Sequence, residues 1–178
     1  MATSERDLFW PLVLVAPAGL VGWWLFRQPG KFFTWEELTT TGTGLPNVPT
    51  LTDRIRLIIA TRRMLDPIRD VVGPVSVMSG FRSPAVNEEV GGAGGACHGG
   101  PGCSQHTVGY GFDIIAANYS NDEVAEMLYE GAMGDLPIYQ VITYQDTDHL
   151  HLGYDPGGLG ATQYLEHQLD GSYPDWTP

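Results

Sequence analysis

The stretch that decides the fold is CSQHTVGYGFDI, residues 103–114, which holds a histidine, two glycines and an aspartate in one short run. It predicts a turn carrying His106, followed by a strand over 111–117 that carries Asp113. Glycines between the two residues let the backbone fold back, so that both side chains converge. The spacing alone fits either a plain turn and strand or two ligands of a metal site.

Three further segments are predicted to be strands, because they are rich in β-branched and aromatic residues. They are VSVMS (75–79), IYQVITY (138–144) and HLHLGY (149–154), the last two joined by the polar turn QDTD. Helices and strands are mixed without a regular βαβ rhythm. The predicted fold class is therefore α+β, with a small antiparallel sheet flanked by helices.

Four helices are predicted around this sheet. The first is short and begins at Thr34 and Glu37. The others cover residues 50–73, 83–90 and 120–133, and the last of them begins at Ser120 and Glu123. Capping boxes, in which Ser or Thr is followed three residues later by Glu, mark two of these starts. The longest helix has an apolar stripe along one side. It contains Pro67, which is expected to bend or split it.

Residues 1–29 form an N-terminal arm that differs from the rest of the chain. Its segment 8–26, LFWPLVLVAPAGLVGWWLF, carries no charge and is close in length to a bilayer span. A signal peptide would have a basic leader, whereas Glu5, Arg6 and Asp7 sum to −1 and Arg27 and Lys31 follow the run. Three interpretations stay open: a transmembrane or signal-anchor segment, an apolar arm buried in a partner or large assembly, and ordinary core.

The remaining chain is predicted to form a main domain over 30–155 and a tail over 156–178. The tail is acidic and rich in glycine and proline. Such a composition favours a segment that packs loosely or docks on a partner.

The charge balance bears on the choice of partner. There are 9 Lys and Arg against 21 Asp and Glu, which gives a net charge of −12. A molecule this acidic repels phosphate backbones, so nucleic acid is excluded as an expected partner.

The third metal ligand is predicted to be His151, because an antiparallel neighbouring strand would bring it alongside Asp113. Two imidazoles and one carboxylate leave a tetrahedral zinc ion with one open position, as in catalytic sites. Asp148, three residues before His151, is placed to act as a general base, and Arg82 to bind a substrate oxygen. Each pattern is weak by itself, since surface His and Asp are common and Arg82 could simply cap the sheet.

The combination of motifs carries a resemblance to a known family. SGFRSPAVNEEVGG (79–92) and SQHTVGYGFDI (104–114), followed by QVITY (140–144) and DHLHLGY (148–154), resemble the M15 family of zinc peptidases. The motifs resemble in particular the D-alanyl-D-alanine carboxypeptidase branch. The resemblance covers roughly residues 30–154 and implies an M15/hedgehog-like zinc peptidase fold.

Transferred residue by residue, the resemblance implies zinc ligands at His106, Asp113 and His151. It also implies that Asp148 is the general base and that Arg82 contacts the substrate or the transition state.

Two neighbouring residues receive supporting roles from the resemblance. Ser104 matches the serine of the second motif and is expected to support the ligands rather than act as a nucleophile. His149 stands beside a ligand on the same side of the strand, so it is expected to line the cleft. Gly111 is a departure, since the family usually has alanine there.

The loop before the second motif is longer than the family's usual connection. This loop covers residues 91–103, and Cys97 and Cys103, the two cysteines of the chain, bracket a seven-residue segment within it. A disulfide between them is favoured, because the implied substrate lies in an oxidising compartment. Two free thiols, or an additional metal site with His98, are the alternatives.

The resemblance implies a zinc metallopeptidase that cleaves an amide in peptidoglycan stem peptides, as a carboxypeptidase or an endopeptidase. The apolar arm suggests two settings, a phage virion (tail) component or an enzyme of the bacterial envelope or periplasm. A non-catalytic wall-binding or structural virion module that keeps the fold is the alternative function.

Overall fold

The computed structural model describes residues 27–94, 103–157 and 159–178. A single sheet of five strands organises them, in the order β1-β2-β4-β3-β5. The strands are β1 (Val75–Ser79), β2 (Gly111–Ala116), β3 (Ile138–Tyr144), β4 (Leu150–Tyr154) and β5 (Gln163–His167). The first four pair antiparallel, and β5 pairs parallel with β3. The α+β fold class with a mostly antiparallel sheet is confirmed.

The helices are α1 (Trp35–Thr39), α2 (Leu51–Ala60), α3 (Asp66–Val72), α4 (Pro84–Glu89) and α5 (Asn121–Tyr129). Both predicted capping boxes are present, at the starts of α1 and α5. Each box satisfies backbone N–H groups that the first helical turn would otherwise leave without partners. Ser83 caps α4, with Pro84 in the first turn.

The predicted long helix is interrupted, as its proline suggested. A π-helical turn, Thr61–Leu65, separates α2 from α3. Pro67 lies in the first turn of α3, where its missing N–H is least costly.

Alternation along the strands separates the core from the opposite face of the sheet. Phe112 and Ile114 of β2, with Leu150 and Leu152 of β4, are at most 1% exposed and belong to the hydrophobic core. Asp113 and His151, at the intervening positions, therefore face away from that core. This is why a polar site can sit on a buried sheet without interrupting the packing below it.

The segment after residue 154 differs from its prediction. No strand is predicted there, yet residues 163–167 form β5 at the edge of the sheet, beside β3. Trp176 follows it and packs near Tyr129 and Tyr164. A strand at the edge of a sheet needs few apolar residues of its own. The Gly- and Pro-rich composition of this segment therefore gave no signal for β5.

The prediction for residues 8–26 lies outside the described residues. Within the part of the chain that is described, no helix is both long and apolar enough to cross a membrane.

Candidate metal centre

Strand register brings the two most distant site residues together. Asp113 of β2 is paired with His151 of β4, and His151 is paired in turn with Ile142 of β3. Ser79 of β1 lies opposite Asp113 on the other side. Leu165 of β5, opposite Ile142, completes a row across the sheet. The aspartate and histidine thus occupy the middle of one transverse row, on the face away from the core.

His106 lies on a 3-10 turn (Gln105–Val108) that leads into β2, and its side chain reaches the same row of residues. The turn ends at Gly109, whose φ of 75° lies in the left-handed region that favours glycine. Gly111 allows the turn to lie directly on the strand, since a Cβ there would stand 2.7 Å from the His106 backbone nitrogen. The two glycines therefore have different roles. Gly109 allows the chain to reverse direction at the end of the turn, and Gly111 allows the turn to pack closely on β2.

The three side chains converge on one point. The distance from His106 Nε2 to His151 Nδ1 is 3.2 Å, and from His106 Nε2 to Asp113 Oδ1 it is 3.3 Å. His151 Nδ1 lies 2.8 Å from Asp113 Oδ1. Ligands about 2.0–2.1 Å from one zinc ion in a tetrahedron are separated by about 3.3–3.4 Å. The spacing of these atoms fits one such ion.

Hydrogen bonds behind the histidines select which ring nitrogens face this point. His106 Nδ1 lies 2.7 Å from the Gly80 carbonyl oxygen, which only accepts, so Nδ1 carries the proton. His151 Nε2 lies 3.4 Å from Gln105 Oε1, which would accept its proton when Nδ1 faces a metal ion. The nitrogens facing the centre are then both unprotonated, and they meet a carboxylate oxygen. Three such acceptors form the donor set of a metal site, with hydrogen-bonded partners that orient the two imidazoles.

Burial strengthens the electrostatics of the centre. His106, Asp113 and His151 are 4%, 5% and 7% exposed. Burial raises the pKa of the Asp113 carboxyl, but the adjacent histidines outweigh it and hold the pKa well below its usual range. Burial lowers the pKa of His151, partly opposed by Asp113. A charged carboxylate and a neutral imidazole are the forms that bind a metal ion.

Arg82 is tied to the same carboxylate. Its Nη2 donates to Asp113 Oδ2, and its Nε donates to Ser79 Oγ over 2.7 Å. Its backbone N–H donates to the His106 carbonyl. The planar guanidinium spans two strands and orients the aspartate, leaving the other oxygen, Oδ1, for the metal position. Arg82 also lines the cleft, where a substrate oxygen would come within its reach.

A cleft of about 720 Å³ opens over the centre. Ser104 and His149 both line it, as their positions beside the ligands suggested. Ser104 is 7% exposed, and its carbonyl accepts from Thr107 Oγ1. His149 lies just before β4, and its ring is 4.4 Å from that of Tyr144. Burial lowers the pKa of His149, which keeps a neutral imidazole beside the metal position.

Asp148 is not brought into this cleft. It is exposed, in the 145–149 loop, and lines a separate hollow with Asn121 and Asp122. Tyr144 lines both hollows and so lies between them. Although Asp148 is only three residues before the predicted ligand His151, it lies on the exposed side of the 145–149 loop. The role of Asp148 as a general base stays a prediction from the motif.

The predicted Cys97–Cys103 disulfide includes a residue outside the described part of the chain. Cys103 itself lines the cleft, directly before Ser104. The loop therefore reaches the site at this end, and the pairing stays a prediction.

Sequence reasoning missed several residues of the site. Gln105, the partner of His151, is next to a predicted ligand, but a glutamine has no motif signal of its own. His167 and Tyr173 line the cleft from the segment that was interpreted as a tail. Only a strand prediction for 163–167 would have indicated them.

A buried set of two imidazoles and one carboxylate, open on one side to a cleft, is a donor set of the catalytic metal-site class. The model of the family described as Peptidase M15 matches residues 31–153, and the chain belongs to this family. A search of curated proteins finds no match to the chain. Family and centre together make the protein a metallopeptidase, and zinc is the metal such peptidases typically use.

Proposed function

We propose that the protein is a zinc-dependent peptidoglycan hydrolase that cleaves an amide bond in cell-wall stem peptides or their cross-links. The observation that supports this most strongly is the convergence of three metal-ligating acceptors on a cleft, in a chain of the M15 family. A closed structural site would surround its ion with four protein ligands. Here the described residues supply three, and the fourth direction is the cleft.

Each side chain of the centre has a distinct task. His106, Asp113 and His151 would hold the zinc ion, and Gly80 and Gln105 orient the two imidazoles. Zinc supplies Lewis acidity, which activates water and polarises a carbonyl.

Arg82 orients Asp113, and the same guanidinium is placed to bind a substrate carboxylate or carbonyl oxygen. For the proton transfers that amide cleavage requires, the motif proposes Asp148. His149 is the second titratable group that we consider, because it already lines the cleft. The two assignments predict opposite effects of Asp148→Ala on cleavage.

A non-catalytic wall-binding module is the second candidate. The specific observation in its favour is the exposed position of Asp148, outside the cleft. A module that only binds would keep the ligands without needing a base beside them.

The test is digestion of purified sacculi by the zinc-loaded chain, with muropeptides identified by mass spectrometry. Loss of a terminal residue indicates a carboxypeptidase, and conversion of cross-linked dimers to monomers indicates an endopeptidase. We expect one of these patterns, its loss on chelation, and about one zinc per chain by elemental analysis. Unchanged sacculi that still retain the protein in a pull-down would instead indicate the binding module.

For its setting, we propose either a virion tail or the bacterial envelope, with residues 8–26 contacting a protein assembly or a membrane. The uncharged composition of that segment supports both, and fractionation of a tagged full-length chain between particles and membranes distinguishes them.

A further inference from the structure

One wall of the cleft is a row of four rings. His149 and Tyr144 are 4.4 Å apart between centroids, and Tyr144 and His167 are 5.0 Å apart. Tyr173 continues the row, 4.9 Å from His167. All four rings line the same cleft as the metal ligands. We call this set the ring row.

Half of the ring row comes from outside the matched family region. The match to the family model ends at residue 153, whereas β5 ends at His167 and Tyr173 follows it. The alternation of β5 places Leu165 and His167 on the cleft side, while Tyr164 packs on the other side against Tyr129. The C-terminal segment thus completes a wall that the family motifs do not encode.

The two ends of the ring row differ in charge, because Asp146 lies beside His167, whereas Arg82 lines the cleft with the metal ligands. The Asp146 carboxylate lies 3.7 Å from His167 Nδ1, and its side chain is 44% exposed. Arg82 is the last lysine or arginine in the sequence, and residues 83–178 contain 14 Asp and Glu. Arg82 itself pairs with Asp113. A ligand group beside His167 therefore meets the Asp146 carboxylate, which lines the adjoining hollow with Tyr144, and the net negative charge of residues 83–178.

We propose that the ring row is a substrate subsite for an aliphatic ammonium group, carried by the side chain of a basic or diamino residue close to the scissile amide. Tyrosine rings attract such a cation through their π-systems, and Asp146 adds a charge-assisted acceptor. An anionic group would meet the same carboxylate with no basic side chain from residues 83–178 to offset it. The inference rests on the proposed function only in taking the ligand to be a peptide.

Two ligand pairs test the subsite. The first is a pair of synthetic stem peptides that differ only in whether the side-chain amine of one lysine is free or acetylated, compared by kcat/KM. The second is Nα-acetyl-lysine methylamide and its ε-acetylated form, which are too small to serve as stem peptides, compared by NMR titration of the zinc-loaded chain. We expect the free amine to be preferred by about 3- to 10-fold in both measurements, with the difference in KM rather than kcat.

Variants locate that preference on the ring row. Tyr173→Ala and Asp146→Asn should each reduce it towards unity, and neither residue is buried. The matched controls are Tyr129→Ala, at 55% exposure against 50% for Tyr173, and Asp135→Asn, which precedes β3 at the opposite end of that strand. Both controls should retain the wild-type ratio.

The results separate the two proposals. If neither stem peptide is cleaved but the small amine still binds preferentially, the hydrolase proposal fails and the subsite stands. Equal kcat/KM and equal binding for free and acetylated ligands would overturn the subsite. It is also overturned if Tyr173→Ala and Asp146→Asn keep the preference, or if the controls lose it equally.

Discussion

Asp113 and His151 lie directly opposite each other on β2 and β4, with 2.8 Å between Asp113 Oδ1 and His151 Nδ1. Such a pair is fixed by backbone register, so neither side chain needs to search for the other. A slip of one residue would turn His151 into the core and Leu150 or Leu152 out of it. The hydrophobic alternation of two strands thereby holds the metal ligands in place.

Removing a ligand should remove the metal. We expect His151→Ala to bind almost no zinc by elemental analysis, because two remaining ligands hold the ion weakly. His149→Ala, two positions away and not among the converging donors, should retain about one zinc per chain. The reverse pattern would mean that His149, and not His151, is the ligand.

Gln105 should tune zinc affinity without touching the ion. Gln105→Ala removes the acceptor of His151 Nε2, and we expect about 10-fold weaker zinc binding in a chelator competition. Gln105→Glu keeps an acceptor at that position and should restore most of the affinity. Gln140→Ala, also in the cleft lining, is the control. Equal affinity in Gln105→Ala and Gln140→Ala would show that the 3.4 Å contact has no orienting role.

Gly111 should be required by packing. A Cβ there would contact the backbone of the 3-10 turn, so we expect Gly111→Ala to lower the free energy of unfolding by about 1–3 kcal/mol. At Gly42, where a Cβ meets nothing within 4 Å, alanine should leave stability nearly unchanged. Urea denaturation of the two variants gives the comparison. Similar midpoints would mean that the turn moves away without cost.

A substitution of Asp148 tests whether the family motif or the observed position of the residue predicts its role in catalysis. Following the motif, we expect Asp148→Ala to lower kcat by about 100- to 10,000-fold while zinc content stays the same. Asp122→Ala, from the same exposed hollow, is the control for a general loss of surface charge. Activity within twofold of wild type would exclude Asp148 as the base and direct attention to His149.

Much of the fold was predictable because its signals are local. Strands 75–79 and 138–144 have the predicted bounds, and both capping boxes are present. Strand β5 was not predictable, because its pairing with β3 depends on a partner 23 residues earlier in the chain. Short edge strands take their stability from the sheet they join rather than from their own composition.

The sequence by itself determined the kind of chemistry, because His106, Asp113 and His151 belong to ordered motifs and their residue types define a metal donor set. Tertiary structure alone decided which atoms of these residues meet, that Gln105 orients one of them, and that Asp148 lies outside the cleft. It also decided that His167 and Tyr173 line the site. Motif spacing records order along the chain, whereas these relationships arise from strand register and from loops that join distant segments.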